Sequence, residues 1–232
     1  MDPDGRLALD AAYAIQAASI RRRIARGERR IGVKMGFTSR AKMLQMGIDD
    51  LIWGRLTSGM AIEEGGSIAH SAYVHPRVEP ELAFLLRRPL AGDVTAAEAL
   101  PAVEAVAPAL EIIDSRYRDF RFSLPAVIAD NASSSGFVVG AWHSPYDDFS
   151  NLGMVMSIDG HAVQIGSSAA ILGHPLRSLV AAARLSAAAG EPLQAGWTIM
   201  AGGATPAVWL KSGQHLSVEV ERLGRAEFHV QS

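Results

Sequence analysis

The stretch His75-Pro76-Arg77-Val78-Glu79-Pro80-Glu81-Leu82-Ala83-Phe84-Leu85-Leu86 decides how the rest of the chain is read. Leu82 to Leu86 is a short, unbroken apolar run, and Pro76 and Pro80 deny the segment a helical start, so it reads as an extended stretch entering a buried strand. Residues two apart on a strand face the same way. Glu79 and Glu81 therefore present two carboxylates side by side, roughly 6 to 7 Å apart at the backbone. Such a pair is either a solvated strand end or part of a site for a hard divalent cation. Magnesium takes oxygen ligands, and two carboxylates converging beside a core strand repel unless a cation neutralises them. Glu111, in Pro108-Ala109-Leu110-Glu111-Ile112-Ile113-Asp114, supplies a third acid. It stands alone inside an apolar run of strand type, where an unpaired charge is expensive. Sharing a cation with Glu79 and Glu81 would remove that cost.

Composition narrows the possibilities around this nucleus. A chain of 232 residues can bury a sizeable core, and 49% hydrophobic with 20% charged residues is a globular balance. The net charge of −2 gives no electrostatic support for a nucleic-acid partner. There is no cysteine, hence no disulfide framework, thiolate zinc site or cysteine nucleophile. No run of eighteen apolar residues suggests a membrane span. Met1-Asp2-Pro3-Asp4 has neither the basic start nor the apolar core of a signal peptide, so a cytoplasmic enzyme or binding protein is expected.

In chain order, Leu9, Tyr13, Ala17, Ile20 and Ile24 recur at helical spacing from about Leu7 to Arg26, with Gly27 as a stop. The arginines at 21, 22, 23, 26, 29 and 30 read as a solvated face at the helix end. Ile31 to Ser39 is a strand pattern in which Lys34 points either to solvent or into a site; inside a pocket it would be a cation for a carboxylate, or a proton donor or acceptor. Thr38 or Ser39 can cap a short helix carrying Met43, Leu44 and Met46 and ending at Gly47, and Asp49-Asp50 reads as a polar turn into a further strand. Thr95-Ala96-Ala97-Glu98 matches a capping box, predicting a helix from Thr95 towards Val106, with Pro101 giving a kink or a late start. Arg116 to Phe122 is a charged, aromatic excursion over the Glu111 strand. Asp130 to Ser135 is a polar cluster between two apolar runs, suited to a turn and equally to a site.

The C-terminal half predicts a hairpin about Asp159-Gly160, a helix after Pro175 stopped by Gly190, strands at Thr198 to Ala201 and Pro206 to Leu210, and a closing antiparallel pair in which Leu216, Val218, Val220 and then Ala226, Phe228, Val230 alternate with polar residues. Many strands with few helices point to an α+β fold on a strongly curved sheet. Gly202-Gly203 is too short a signal to read as a phosphate loop.

These residues carry a resemblance. Lys34 to Ser39, Met43 to Gly47, His75 to Phe84, Pro108 to Phe122, Val127 to Ser134 and Ala170 to Pro175 together look like the 4-oxalocrotonate decarboxylases, which stand with the 2-hydroxypentadienoate hydratases in the fumarylacetoacetate hydrolase superfamily. Lys42 to Gly47, His75-Pro76, and Ile113 to Tyr117 followed by Phe120 and Phe122 are more similar to the decarboxylases. The family carries additional residues before its first helix, whereas this sequence reaches that helix at Leu9. The resemblance implies a fumarylacetoacetate-hydrolase-like roll of curved mixed sheet, with an N-terminal helical segment at 1–30 and a catalytic domain at 31–232. It implies a magnesium or manganese ion on Glu79, Glu81 and Glu111. The substrate class implied is a 2-oxo acid of catechol meta-cleavage, 2-oxohex-3-enedioate, decarboxylated to 2-hydroxypenta-2,4-dienoate. The alternatives are hydration of that dienoate to 4-hydroxy-2-oxopentanoate, or a non-catalytic partner of such a hydratase. Self-association into a homo-oligomer and pairing with a homologous hydratase subunit are expected on the same ground. Lys34 is expected to meet a carboxylate or enolate, with proton transfer as a second role. Ser133, Asp130 and Asn131 are expected near the metal or substrate, with turn chemistry the competing role of Asp130 and Asn131. Asp49 is expected to shuttle a proton, and Arg116 to meet a substrate carboxylate or form a surface ion pair.

Overall fold

The computed structural model describes residues 6–39 and 51–232; the expected helix at Met43 to Gly47 and the candidate Asp49 lie outside these residues. Helix α1 (Leu9–Ala25) leads into β1 (Arg30–Gly36), β2 (Ile52–Thr57), β3 (Ala61–Ile62), β4 (Ser67–Ala69) and β5 (Arg77–Leu86). A single helical turn, α2 (Ala96–Ala99), precedes β6 (Val103–Ile113), and α3 (Leu124–Ala129) precedes β7 (Ser134–Val139). The hairpin β8 (Gly153–Ile158) and β9 (His161–Ser167), helix α4 (Pro175–Ala188), and strands β10 (Thr198–Met200), β11 (Val208–Trp209), β12 (His215–Val220) and β13 (Gly224–Gln231) complete it. No helix among the described residues is long and apolar enough to cross a membrane.

Among the described residues the strands form two sheets. The larger runs β2-β1-β10-β5-β6-β7-β3, with β11 beside β5, and the smaller runs β4-β13-β12-β8-β9. Strand β5 is central, and both its faces are covered, which is why Leu82 to Leu86 is unbroken apolar rather than alternating. Val78, Leu82 and Phe84 point outward to a core shared with Met154, Met156, Leu216, Val218 and Phe228 of the smaller sheet and with Leu179 of α4. Each such fully buried side chain contributes about 1.5–3 kcal/mol of transfer free energy. The opposite, concave face carries Leu56, Ala83, Ala109, Phe137 and Met200. Glu79, Glu81, Glu111 and Lys34 follow on that same face by strand alternation.

The two closing strands pair antiparallel as expected, Val218 opposite Ala226, and Asp159-Gly160 turns the hairpin with φ of 51° and 78°. Two expectations are corrected. The capping box at Thr95 forms, but the helix ends at Ala99 and Pro101 lies in a 3-10 turn, after which Val103 enters the long strand; pairing β6 to β5 along its length outweighs helix propagation through a proline. The apolar run before Asp130 is helix α3. On α1 the buried residues are Ala12, Gln16 and Ile20, while Leu9 and Ile24 are exposed. Gln16 is drawn inward because its Nε2 donates to the carbonyls of Trp53 (3.2 Å) and Ile128 (2.8 Å) and its Oε1 accepts from Arg55 (2.6 Å), and Tyr13 stacks on Trp53.

Candidate metal and substrate site

The register of β5 against β6 puts Glu79 directly opposite Glu111, with Glu81 two residues further along the same face. One oxygen from each of the three carboxylates lies within 4.8 Å of the other two. Glu81 and Glu111 are fully buried. Two carboxylates at such a separation repel by about 3.5 kcal/mol at an effective dielectric of roughly 20. Glu81 Oε2 accepts the Gly202 backbone N–H at 2.8 Å, but Oε1 of Glu81 and Oε1 of Glu111 have no hydrogen-bond partner among the described residues. Buried carboxylate oxygens left in this state fit a hard cation.

Lys34 completes the group. In the sheet, β1 and β6 are separated by β10 and β5, a distance of about 14 Å across a flat sheet. Yet Lys34 Nζ lies 2.9 Å from Glu111 Oε2, because the sheet curls and its inner side chains converge. Gly54, opposite Lys34 on β2, makes room: a Cβ there would sit 2.6 Å from the Asn131 carbonyl and 3.2 Å from the lysine stem. Among the described residues, the three carboxylates and this one ammonium leave two negative charges, the complement of one divalent cation.

The proton affinities follow from this crowding. Burial, then Glu111 and Glu79, push the Glu81 carboxyl well above its usual range, with Lys34 opposing. Burial also raises Glu111, against the pull of Lys34. For Lys34 burial acts downward, but Glu111, Glu81 and Glu79 outweigh it and the pKa is raised. In the metal-free site these carboxylates thus hold Lys34 as a cation beside Glu111.

The polar cluster after α3 divides its tasks. Asn131, Ala132 and Ser133 all hold left-handed φ, at 54°, 52° and 60°. Left-handed backbone costs a non-glycine residue about 1–2 kcal/mol, so something must hold the run in place. The Asn131 side chain does so, Oδ1 accepting the Arg55 N–H at 2.8 Å and Nδ2 donating to the Arg55 carbonyl at 3.0 Å. The turn delivers the Ala132 carbonyl to Lys34 Nζ at 3.1 Å and places Ser133 on the pocket wall, its Oγ buried without a partner among the described residues. Asp130 faces elsewhere: its carboxylate takes the Arg116 backbone N–H at 2.9 Å and pairs with the Arg116 guanidinium. Lys34 and Ser133 therefore share a pocket with Glu79, while Asn131 acts on it through the backbone and Asp130 anchors the loop that follows β6. Phe120 and Phe122, from the aromatic excursion, form the apolar side of that pocket with Ile113 and Val127.

Sequence reasoning passed over Gly202 and Gly203. A Cβ on Gly203 would lie 2.7 Å from Glu79 Oε2, so the absent side chain is what lets the 201–204 segment close over the acids. The only signal was a pair of glycines after a strand, whose purpose depends on which carboxylates lie beneath.

Residues 42–231 match the fumarylacetoacetate (FAA) hydrolase C-terminal family. The chain belongs to the fumarylacetoacetate hydrolase family. It is 67% identical over 217 residues to a 4-oxalocrotonate decarboxylase from a Pseudomonas species, covering 94% of this chain and 85% of that one. To a 2-keto-4-pentenoate hydratase from Paraburkholderia xenovorans it is 39% identical over 225 residues, covering 95% and 84%. Its fold superposes on a solved 4-oxalocrotonate decarboxylase from Pseudomonas putida, complexed with magnesium and adipate, with a TM-score of 0.94, 38% identity and coverage of 97% and 87%.

Proposed function

We propose that this protein is a lyase that decarboxylates 2-oxohex-3-enedioate to 2-hydroxypenta-2,4-dienoate with the aid of magnesium or manganese. The observation that carries the choice of reaction is the 67% identity to a decarboxylase, against 39% to a hydratase. Glu79, Glu81 and Glu111 would hold the cation, which when bound supplies a Lewis acid for the carboxylate and 2-oxo oxygen of the substrate. The chain's own residues then have distinct tasks. Lys34 sets a buried positive charge beside the chelating end, where negative charge develops on the 2-oxo oxygen as carbon dioxide leaves the far end of the conjugated chain. Ser133 Oγ offers a hydrogen bond to the same end, and Asn131 fixes its backbone. Phe120, Phe122 and Val127 keep water from the conjugated carbons, disfavouring hydration in competition with decarboxylation. Asp49 is assigned proton transfer on family resemblance alone.

The test is to mix the protein and magnesium with 2-oxohex-3-enedioate and follow carbon dioxide. Release with formation of the dienoate supports the reading; turnover of added dienoate to 4-hydroxy-2-oxopentanoate without decarboxylation decides for the hydratase. We further take residues 1–30 as a helical adjunct to a catalytic domain at 31–232, and the protein as a cytoplasmic homo-oligomer able to pair with a homologous hydratase subunit. Sedimentation of the protein alone and mixed with such a hydratase tests the last two points.

A further inference from the structure

Arg77 shares the concave face of β5 with Glu79, two residues away. Strand pairing sets it opposite Ile113, which lines that pocket. Its guanidinium rests in the corner of two rings, 3.9 Å from the centroid of Trp209 and 4.1 Å from that of Phe120, itself pocket wall. Arg77 Nε is buried without a hydrogen-bond partner among the described residues, and so is Nε2 of His75, whose ring packs on the same Phe120 at 5.0 Å. Asp119 and Phe120 adopt left-handed φ of 57° and 56° to bring the ring there.

Phe120 and Trp209 stand edge to face, 5.9 Å apart and at 81°, so they wall the guanidinium on two adjoining sides and leave its other N–H donors, which match a carboxylate in pairs. A six-carbon 2-oxo diacid held at the cation by one end has a second carboxylate that needs a counter-charge. Among the described residues, Lys34 is already engaged by Glu111 and the Ala132 carbonyl, and Arg116 by Asp130. Arg77 stands one same-face step from Glu79, roughly 6 to 7 Å along the strand, which is about the reach of such a chain beyond its chelating end.

We propose that Arg77, packed against Phe120 and Trp209, binds the distal carboxylate of the 2-oxo diacid and selects it over a 2-oxo monoacid of the same length; this rests on the reading of the reaction given above. The carboxylate in its grip is the one that departs as carbon dioxide. The contact therefore belongs to the bound substrate more than to the transition state, and its loss appears in KM.

The experiment compares 2-oxohexanedioate with 2-oxohexanoate as competitive inhibitors of the magnesium-loaded protein, in the wild type, in Arg77→Gln and in Trp209→Leu. The wild type should favour the diacid by about tenfold or more, as expected of a charge-assisted pair. Arg77→Gln should bring the two inhibitors to within about twofold of each other, leave the monoacid constant in place, and raise KM for the substrate about tenfold with kcat within about threefold. Trp209→Leu, which loosens the packing and leaves the charge, should give an intermediate preference. Retention of the diacid preference in Arg77→Gln, or equal weakening of both inhibitors, would overturn the proposal and leave the metal site standing. Failure of both inhibitors to bind the wild type would remove the reading of the reaction and this subsite with it.

Discussion

Replacing Glu81 by Gln separates two effects that the site geometry opposes. The side chain is fully buried, its Oε2 takes the Gly202 N–H, and its carboxyl is raised well above the usual 4.5 by burial and by Glu111. An amide of the same shape can still accept that hydrogen bond through its oxygen, but it removes one of three charges and a proposed metal ligand. Since changing an outer-shell partner already weakens metal affinity by 10- to 100-fold, losing a ligand should cost about 100-fold or more. With magnesium at about 100 times the wild-type Kd, binding stabilises the wild type by about 2.7 kcal/mol, and the variant by about 0.4 kcal/mol. For a chain of this size these correspond to rises in Tm of about 5–10 °C and about 1 °C. The metal-free proteins should differ in the other direction. Ionised Glu81 is unfavourable in the fold, so at pH 8 the variant without metal should melt above the wild type. Differential scanning calorimetry with and without magnesium reads both signs at once. A variant that keeps the full magnesium increment, or that melts well below the wild type without metal, would refute a site built on three crowded carboxylates.

Three further outcomes follow from the same geometry. Because Glu81 and Glu111 have raised pKa values in the fold, the stability they lend the metal-free protein is complete below pH about 4.5 and is lost as pH rises through the raised values; the magnesium increment in Tm should therefore grow from pH 5 to pH 8, and an increment independent of pH would count against the assignment. Lys34→Met leaves Glu111 without its counter-charge, which should cost the metal-free protein about 3–5 kcal/mol, while magnesium restores much of the loss in Tm and turnover stays at least about 100-fold down. Gly203→Ala puts a methyl 2.7 Å from Glu79 Oε2, the flexible end of a side chain, so the fold should be kept, with Tm of the metal-free protein little changed, while titration calorimetry shows magnesium bound about tenfold more weakly.

The sequence by itself determined the periodic part of this protein. Two acids one residue apart before an apolar run, and a lone acid in a second run, place Glu79, Glu81 and Glu111 on strand faces because alternation is a local property of extended backbone. The closing pair about residues 221–223 and the hairpin at Asp159-Gly160 are legible for the same reason. Where a local signal met a non-local one, it lost: the capping box at Thr95 formed and still gave only one turn, since β6 had a long partner in β5. Only the tertiary structure decided that Lys34 faces the acids, because its approach to Glu111 crosses two intervening strands and depends on the curl of the sheet. The separate uses of Asp130, Asn131 and Ser133, adjacent in sequence, were likewise settled by what each meets in space: Arg116, the backbone of Arg55, and the pocket. Side-chain direction along a strand is set by neighbouring residues, whereas convergence across a curved sheet is set by the whole of it.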